Sequence, residues 1–269
     1  SVESFCVDNV DYVDDGWIKD MVNAGMGPLL RSLVLKTYLV FPGGYELSDK
    51  TLEMLGKTIS SLETLHLQGF RGNFSPTGVR SLVEHGCCHA LQSLTLDGIK
   101  LEHIFPLLTP QTPFLQTLVL RSGERIQKET LLSFCDQGFP VLRKLHLEDC
   151  HFDDIGIQPF VEGLGENTLT DLSVVEMNYT PGITHSVVET LVAKKTRLLF
   201  LSFGWKPRFI PVGDQYPLLL DILRTLCHPE MEHLDLDFRH DQRIRETFPQ
   251  LTNQLLMELA DTGCGPALR

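Results

Sequence analysis

The sequence lacks long apolar runs and an excess of positive charge. None of its hydrophobic stretches approaches the roughly 18 residues that a membrane-spanning helix needs. Its 23 Lys and Arg are outnumbered by 35 Asp and Glu, which gives a formal net charge of −12. Such a charge does not fit a protein that coats nucleic acid or binds an anionic membrane surface. We therefore expect neither a nucleic-acid partner nor a membrane partner.

Signatures of secretion, disulfide pairing and catalysis are also lacking. The chain opens with acidic residues rather than a signal peptide, and its seven cysteines follow no disulfide or zinc spacing. We expect free, mostly buried thiols in a protein that is intracellular and cytoplasmic. The sequence has no Gly-x-Ser-x-Gly elbow and no dinucleotide-binding glycine pattern. We therefore expect no enzyme activity, no cofactor and no metal.

Two short segments resemble reactive sites only superficially. Residues 44–51 approach a phosphate-binding loop, but Asp49 replaces its second glycine, and Ser48 fits the N-cap of a helix better. The run Cys87-Cys88-His89 fits a helix end followed by a return loop. There we expect one buried thiol, because adjacent side chains point apart.

An internal repeat dominates what the sequence does contain. Its pattern is an apolar residue, two variable residues, a leucine, one variable residue and another apolar residue, as in Leu62-Glu-Thr-Leu65-His-Leu67. Helix-like apolar patterns lie between the copies, for example in residues 51–59. Each unit is therefore predicted to contain a strand, a turn, a helix and a return loop. The nine hexads begin at residues 2, 30, 62, 91, 115, 142, 169, 198 and 231.

This pattern resembles the leucine-rich repeat family across essentially the whole chain. The clearest unit begins Leu142-Arg-Lys-Leu-His-Leu-Glu-Asp-Cys150, and its cysteine at the turn after the strand is similar to the long intracellular repeats. Those comprise the ribonuclease-inhibitor-like type and the cysteine-containing, F-box-associated type, between which the sequence does not decide. The resemblance implies an α/β solenoid, a horseshoe or arc, with parallel strands on the concave face and helices on the convex face.

The whole chain, residues 1–269, is predicted to form a single leucine-rich repeat domain of about nine repeats. Stacked repeats bury one continuous ladder of leucines, so no internal boundary is expected. Residues 263–268 echo residues 25–30, which lead into a strand, and neither end carries a polar cap. We expect the sequence to be a window of a longer solenoid, or its ends to be covered by partners.

Alternation along each strand predicts which side chains face the core and which face a partner. Hexad positions 1, 4 and 6 should be buried, whereas positions 3, 5 and 7 should line the concave surface. In the last four strands that surface is rich in acids and aromatics, which suits a protein partner with a basic segment. The predicted partner-binding residues are His146, Glu148, Asp171, Glu176, Phe200, Trp205, His233, Asp235 and Asp237.

The same residues allow a second interpretation, in which they have no partner. Three of them also argue against a metal site. They could form the solvated face of an acidic protein, with Phe200 and Trp205 packed under a neighbouring loop. The side chains of His233, Asp235 and Asp237 are expected to follow one another about 6.6 Å apart along a strand, which is too far for all three to coordinate one ion. The proline-rich insertion at residues 204–217 is a further candidate binding segment, and residues 37–47 are a weaker one.

These observations predict a non-catalytic protein-protein recognition scaffold that binds a protein partner on its concave face. The resemblance leaves other roles open. They are a structural subunit of a large assembly, the substrate-recognition part of a ubiquitin ligase, an innate-immune-type sensor and a regulator of a small GTPase.

Overall fold

The chain divides into two compact units. The first contains Ser1–Glu124 and Asp136–Lys144, and the second contains Arg125–Cys135 and Leu145–Arg269. The single domain expected for residues 1–269 stays a prediction. The computed structural model describes residues 2–8, 13–36, 47–69, 74–99, 107–108, 111–121, 125–126, 129–130, 132, 139–148, 151–152, 171–175, 200–204 and 233–237.

Strands of the first unit form where the sequence has a hexad. They pair in sequence order and in parallel, and each hexad position lies opposite the same position of the next strand, as Leu33 lies opposite Leu65. The fold is therefore α/β and repeat-like, with parallel strands. The strands are β1 (Ser4–Val7), β2 (Ser32–Lys36), β3 (Thr64–Gln68), β4 (Ser93–Asp97) and β5 (Thr117–Arg121).

Most of the remaining strands belong to the second unit. Within the second unit, β9, β10 and β11 pair in parallel with matching hexad positions, and the short strands β6 and β8 pair with each other. Strand β7 begins at the last residue of the first unit. These strands are β6 (Arg125–Ile126), β7 (Lys144–Glu148), β8 (His151–Phe152), β9 (Asp171–Val175), β10 (Phe200–Gly204) and β11 (His233–Asp237).

Leucines at hexad positions 1, 4 and 6 form the core of the first unit. In the four hexads that include β2 to β5, every one of them is at most 1% exposed. Burying each leucine side chain stabilises the fold by about 1.5–3 kcal/mol relative to leaving it in water. The predicted burial of positions 1, 4 and 6 is thus confirmed in these strands, whereas the predicted accessibility of position 5 is wrong for Thr95, which is buried.

Each strand is joined to the next by a repeated pair of backbone hydrogen bonds at hexad position 2. The Glu3 carbonyl accepts from the amides of Arg31 at 2.8 Å and Ser32 at 3.1 Å. The position-2 carbonyls of the next four hexads accept in the same way from the strands that follow them. Register is therefore set where the chain enters each strand. We call this carbonyl the entry acceptor.

In the described part of the first unit, three named α-helices alternate with the strands, and each begins at a polar N-cap. Asp14, Ser48 and Ser75 accept hydrogen bonds from amides of the first turn that would otherwise lack partners. The N-cap predicted at Ser48 is confirmed. One side of each helix is buried. The helices are α1 (Asp15–Asn23), α2 (Asp49–Thr58) and α3 (Pro76–Glu84).

Aspartates at the start of two helices bind the N-cap serine of the next helix. Asp15 accepts hydrogen bonds from the Ser48 amide at 2.9 Å, the Ser48 hydroxyl at 2.5 Å and the Thr51 hydroxyl at 2.6 Å. Asp49 accepts from the Ser75 amide at 2.8 Å and the Ser75 hydroxyl at 2.5 Å. We call these contacts the first clasp, at Asp15, and the second clasp, at Asp49. They hold successive helix N-termini together.

Glycines allow α2 and α3 to approach closely. A Cβ atom on Gly56 would lie 2.6 Å from the carbonyl oxygen of Ser81, and one on Gly78 would lie 2.2 Å from Oδ1 of Asp49. Both distances are shorter than van der Waals contact permits. The absence of a side chain at Gly56 and Gly78 is therefore a requirement of this helix packing.

Cys87 and Cys88 lie together in the short 3₁₀ helix Cys87–Ala90, which leads the chain into β4. Both thiols are fully buried, their sulfur atoms are 3.3 Å apart, and the Cys87 thiol donates to the Leu82 carbonyl. The hydrogen bond with Cys87 raises the pKa of the Cys88 thiol, and burial raises it further. The expectation of one buried thiol with adjacent side chains pointing apart is wrong, because this tight turn directs both towards α3. Cys6, by contrast, is exposed.

Among the described residues, none of the helices is both long enough and apolar enough to span a membrane.

Candidate functional site

The side of the strands that faces away from the leucine core is polar and partly accessible in the first unit. We call it the strand face and define it as hexad positions 3, 5 and 7 of β2 to β5. Its members are half-buried, except for Thr95, which is buried. They are Ser32, Val34, Lys36, Thr64, His66, Gln68, Ser93, Thr95, Asp97, Thr117, Val119 and Arg121.

Four hydroxyl side chains form one row across this face. Ser32, Thr64, Ser93 and Thr117 occupy hexad position 3 and lie opposite one another in the register of β2 to β5. Adjacent strands lie about 4.8 Å apart, so the row runs across four strands at a regular spacing. A row of this kind offers both donors and acceptors to a polar surface or an extended chain.

His66 makes a diagonal contact that sequence spacing did not predict. Its Nε2 atom lies 2.8 Å from the hydroxyl oxygen of Ser93 on the neighbouring strand. Burial lowers the pKa of His66, and the positive charge of Lys36 lowers it further, so the imidazole is neutral at physiological pH. A neutral imidazole beside a hydroxyl can exchange donor and acceptor roles with a ligand. The signal that could have found this contact is the register, which brings position 5 of one strand close to position 3 of the next.

An ion pair lies near the end of the same face. Asp97 and Arg121 lie opposite each other in the register of β4 and β5, and their charged groups are 3.6 Å apart. The Asp97 carboxylate also accepts a hydrogen bond from the Gly69 amide at 2.7 Å. Gly69 has φ +82°, a left-handed conformation that favours glycine and lets the chain turn sharply after β3. The acid and base largely neutralise each other, so this corner of the strand face carries little net charge.

The second unit brings predicted site residues of three strands into one row. Phe200 on β10 lies opposite both Asp171 on β9 and His233 on β11. In the same register, Asp235 lies opposite Ser202, and Asp237 lies opposite Gly204. We call the set of Asp171, Phe200 and His233 the mixed row. An acid, an aromatic and an imidazole thus occupy equivalent positions of adjacent strands.

The other predicted site residues are distributed differently. His146 and Glu148 lie on β7, and His146 is half-buried. Glu176 and Trp205 lie outside the described residues, as do residues 205–217 of the predicted binding insertion and residues 37–46 of the weaker one. Whether these residues contact a partner stays a prediction.

Phosphate binding and metal binding are the two alternative kinds of site that the described residues allow to be compared with the structure. Ser48 and Asp49, which fall in the segment that resembles a phosphate-binding loop, serve instead as a helix N-cap and as the acceptor of the second clasp. In the part of the chain that the structure describes, no three His, Cys, Asp or Glu side chains are grouped so as to hold a metal ion. The strand face is thus a largely polar, partly accessible surface on a leucine core.

Comparisons by sequence and by structure give different results. No family model matches the chain, and no curated protein matches it. Solved structures do match: a chain from the crystal structure of the Rad7 and Elc1 complex in yeast has a TM-score of 0.54 at 18% identity. That alignment covers 88% of this chain and 57% of the solved chain. This chain therefore spans a little over half the length of that structure, and the likeness concerns the fold.

A second solved structure is similar over a shorter segment. It is the actin-binding site 2 of leiomodin-1, with a TM-score of 0.38 at 18% identity. The alignment covers 57% of this chain and 87% of the solved one. A similarity this low carries no argument about fold or function here.

Proposed function

We propose that this chain is a leucine-rich repeat solenoid that acts as a non-catalytic scaffold and binds a protein partner on the faces of its strands. The observation that carries the proposal is the division of each strand into two sides. Hexad positions 1, 4 and 6 hold the same leucine core in β2 to β5, whereas positions 5 and 7 differ from strand to strand and, apart from Thr95, remain partly accessible. A varied surface on a constant scaffold suits recognition of one particular partner.

The chemistry of the second unit favours a partner with a basic segment. The mixed row places a carboxylate, an aromatic ring and an imidazole on adjacent strands, and Asp235 and Asp237 add two carboxylates on β11. An arginine can pair with a carboxylate and stack on an aromatic ring at the same time. The sequence pattern adds His146, Glu148, Glu176 and Trp205 to the residues that we propose contact this partner. The net charge of −12 would also accelerate encounter with a basic partner.

The likeness to the Rad7 structure supports the fold in this proposal. Its printed title describes a complex of two proteins, Rad7 and Elc1. The function proposed here rests on the strand surfaces of this chain and not on that complex.

The test compares two variants with the same change in net charge. Asp235→Asn with Asp237→Asn removes two carboxylates from β11, and Glu53→Gln with Glu84→Gln removes two from α2 and α3, outside the strands. Fluorescence anisotropy with labelled arginine-rich peptides measures Kd for each variant. We expect the β11 variant to bind about tenfold more weakly, since charge-assisted hydrogen bonds contribute about 1.5–3 kcal/mol, and the helix variant to stay within about twofold of wild type.

Equal weakening in both variants would show a general attraction to an acidic protein and would contradict the proposal. Unchanged binding in the β11 variant would contradict it as well. Circular dichroism of both variants establishes that neither substitution has unfolded the chain.

A further inference from the structure

The sulfur atoms of Cys87 and Cys88 lie on the same side of one short turn. They are 3.3 Å apart within the 3₁₀ helix Cys87–Ala90, and Gly86 before it has the left-handed φ of +82° that turns the chain there. Adjacent side chains ordinarily point apart in strands and helices. This turn therefore brings two soft donor atoms to one point outside the strands.

Two thiols so close together suit some ligands better than others. Among the described residues, no group of three His, Cys, Asp or Glu could hold a metal ion. A structural zinc site requires four ligands, and its bonds of about 2.3 Å hold two sulfur atoms about 3.8 Å apart. Trivalent arsenic forms three bonds at angles near a right angle. It therefore holds two sulfur atoms closer together than zinc does, and it brings its third substituent with it.

The protonation state of the pair favours the same ligand. The hydrogen bond with Cys87 and burial raise the pKa of the Cys88 thiol, and the Cys87 thiol donates to the Leu82 carbonyl at 3.0 Å. Both sulfur atoms therefore carry protons, which disfavours reactions that need a thiolate. An organic arsenic(III) oxide condenses with neutral thiols: two As–S bonds form, the As=O bond breaks, and both thiol protons leave with the oxygen as water. Arsenic and sulfur keep their oxidation states.

A disulfide between the two cysteines is the less favourable outcome. Adjacent Cα atoms are about 3.8 Å apart across a trans peptide, whereas disulfides usually join Cα atoms about 4.4–6.8 Å apart. A disulfide here would therefore be strained and readily reduced. An arsenic atom between the sulfur atoms lengthens the bridge and avoids most of that strain.

The space around the pair determines what binding does to the fold. Both cysteines are 0% exposed, and their 3₁₀ helix packs against α2 and α3. An arsenic atom and its substituent add volume to this close-packed region and replace the hydrogen bond from Cys87 to Leu82. Binding therefore requires the turn to move away from the helices, so the ligand shifts the population towards a locally opened form.

We propose that Cys87 and Cys88 form a dithiol site for organic compounds of trivalent arsenic, and that binding separates their 3₁₀ helix from α2 and α3. The ligand is recognised by its ability to form two bonds to sulfur at a narrow angle. The site lies outside the strands, so it is independent of the function proposed for the strand faces.

The probe is phenylarsine oxide, added to the full chain. Intact mass spectrometry should show an adduct that has lost water, and peptide mapping should place it on Cys87 and Cys88. Cys87→Ser and Cys88→Ser should each hold the arsenical about a hundredfold more weakly or worse, because the second As–S bond of the chelate forms within one molecule. The matched control is Cys6→Ser, which removes an exposed cysteine and should leave this adduct unchanged.

Two further measurements use the wild-type chain, so they do not depend on the folding of the serine variants. The dithiol dimercaptopropanol should remove the adduct, whereas mercaptoethanol at the same concentration of thiol groups should be about tenfold less effective or worse. Tm should fall by about 5 °C at an arsenical concentration of about 100 times Kd, since the opened form rather than the closed one binds the ligand.

Three outcomes would overturn the proposal. One is an adduct that maps to other cysteines and persists in both serine variants. Another is equally effective removal by the monothiol, which would show that only one As–S bond had formed. The third is a higher Tm for the adduct than for the free chain, because the closed form would then be the one that binds.

Discussion

Both clasps join an aspartate of one helix to the N-cap serine of the next helix. They differ in the residue three positions after that serine. In the first clasp, Thr51 in the first turn of α2 donates its hydroxyl to Asp15. In the second clasp, the equivalent residue of α3 is Gly78, and Asp49 occupies the space that a side chain would need. The first joint thus gains a third hydrogen bond, and the second gains a closer approach of the helices.

This difference shows that one residue of the repeat can change while the contact between successive helix N-termini is kept. The aspartate and the N-cap serine remain in both clasps, whereas the residue three positions after the serine is either a hydrogen-bond donor or absent as a side chain. The closer approach at the second joint also depends on Gly56, whose missing Cβ admits the Ser81 carbonyl. Polar bonding therefore supports the first joint, and close packing of the helices supports the second.

The largest expected effect comes from removing the clasp aspartates. Asp15→Ala leaves the Ser48 amide and two hydroxyl groups without their acceptor, and we expect a loss of about 2–3 kcal/mol in the free energy of unfolding. Asp49→Ala removes two hydrogen bonds, and we expect about 1–2 kcal/mol. Urea denaturation of both variants measures the difference. Equal losses would mean that the Thr51 hydroxyl contributes nothing to the first clasp.

Close packing at the second joint is tested by Gly56→Ala. The added Cβ would meet backbone atoms of Ser81 and Leu82, so the helices must separate. We expect a loss of about 1–2 kcal/mol, although alanine favours helix over glycine by up to about 1 kcal/mol. The control is Lys57→Ala, an exposed neighbour in the same helix. A Gly56→Ala variant more stable than wild type would refute the requirement for glycine.

A double-mutant cycle measures how strongly Asp49 and Gly78 depend on each other in the second clasp. Gly78→Ala should destabilise the chain because its Cβ would collide with the Asp49 carboxylate. In the background of Asp49→Ala that collision is largely removed, so we expect a coupling free energy of about 1 kcal/mol from the four unfolding curves. Additive effects of the two substitutions would show that Asp49 and Gly78 do not share this space.

The smallest effect is a dependence of the first clasp on pH. Burial raises the pKa of Asp15, but the hydrogen bonds from Ser48 and Thr51 outweigh it, and the pKa lies below its ordinary value of 3.8. The unfolded chain therefore binds this proton more readily, so the clasp contributes fully above that ordinary value and is lost as pH falls through the lower, folded value. The difference in unfolding free energy between wild type and Asp15→Asn should shrink in that range. A difference that is constant with pH would exclude this linkage.

Most of the strand architecture could be predicted from the sequence. Leucines at positions 1, 4 and 6 specify both the strand and its buried side, because a strand repeats its orientation every two residues. The N-cap at Ser48 was also predictable, since a serine preceded an amphipathic segment. These features depend on short spacings within one repeat.

Contacts between repeats were not predictable in the same way. The clasp from Asp15 to Ser48 joins residues 33 apart, and the contact from His66 to Ser93 joins residues 27 apart. Both require the relative placement of neighbouring repeats, which the hexads alone do not specify. The buried pair of Cys87 and Cys88 was predicted wrongly because adjacent side chains were expected to point apart, whereas both are buried in the tight 3₁₀ turn that the chain forms there. Of the predicted partner-binding residues, the register could place only those on strands.

The entry acceptors have a consequence for how this protein can change during evolution. Successive hexads from β2 to β7 begin at residues 30, 62, 91, 115 and 142, so their separations vary between 24 and 32 residues. From β2 to β5, the strands nevertheless pair position for position. Because alignment is fixed where each strand begins, insertions and deletions in the connecting segments need not disturb it. New loops can therefore be acquired one repeat at a time, while the scaffold that carries them is inherited unchanged.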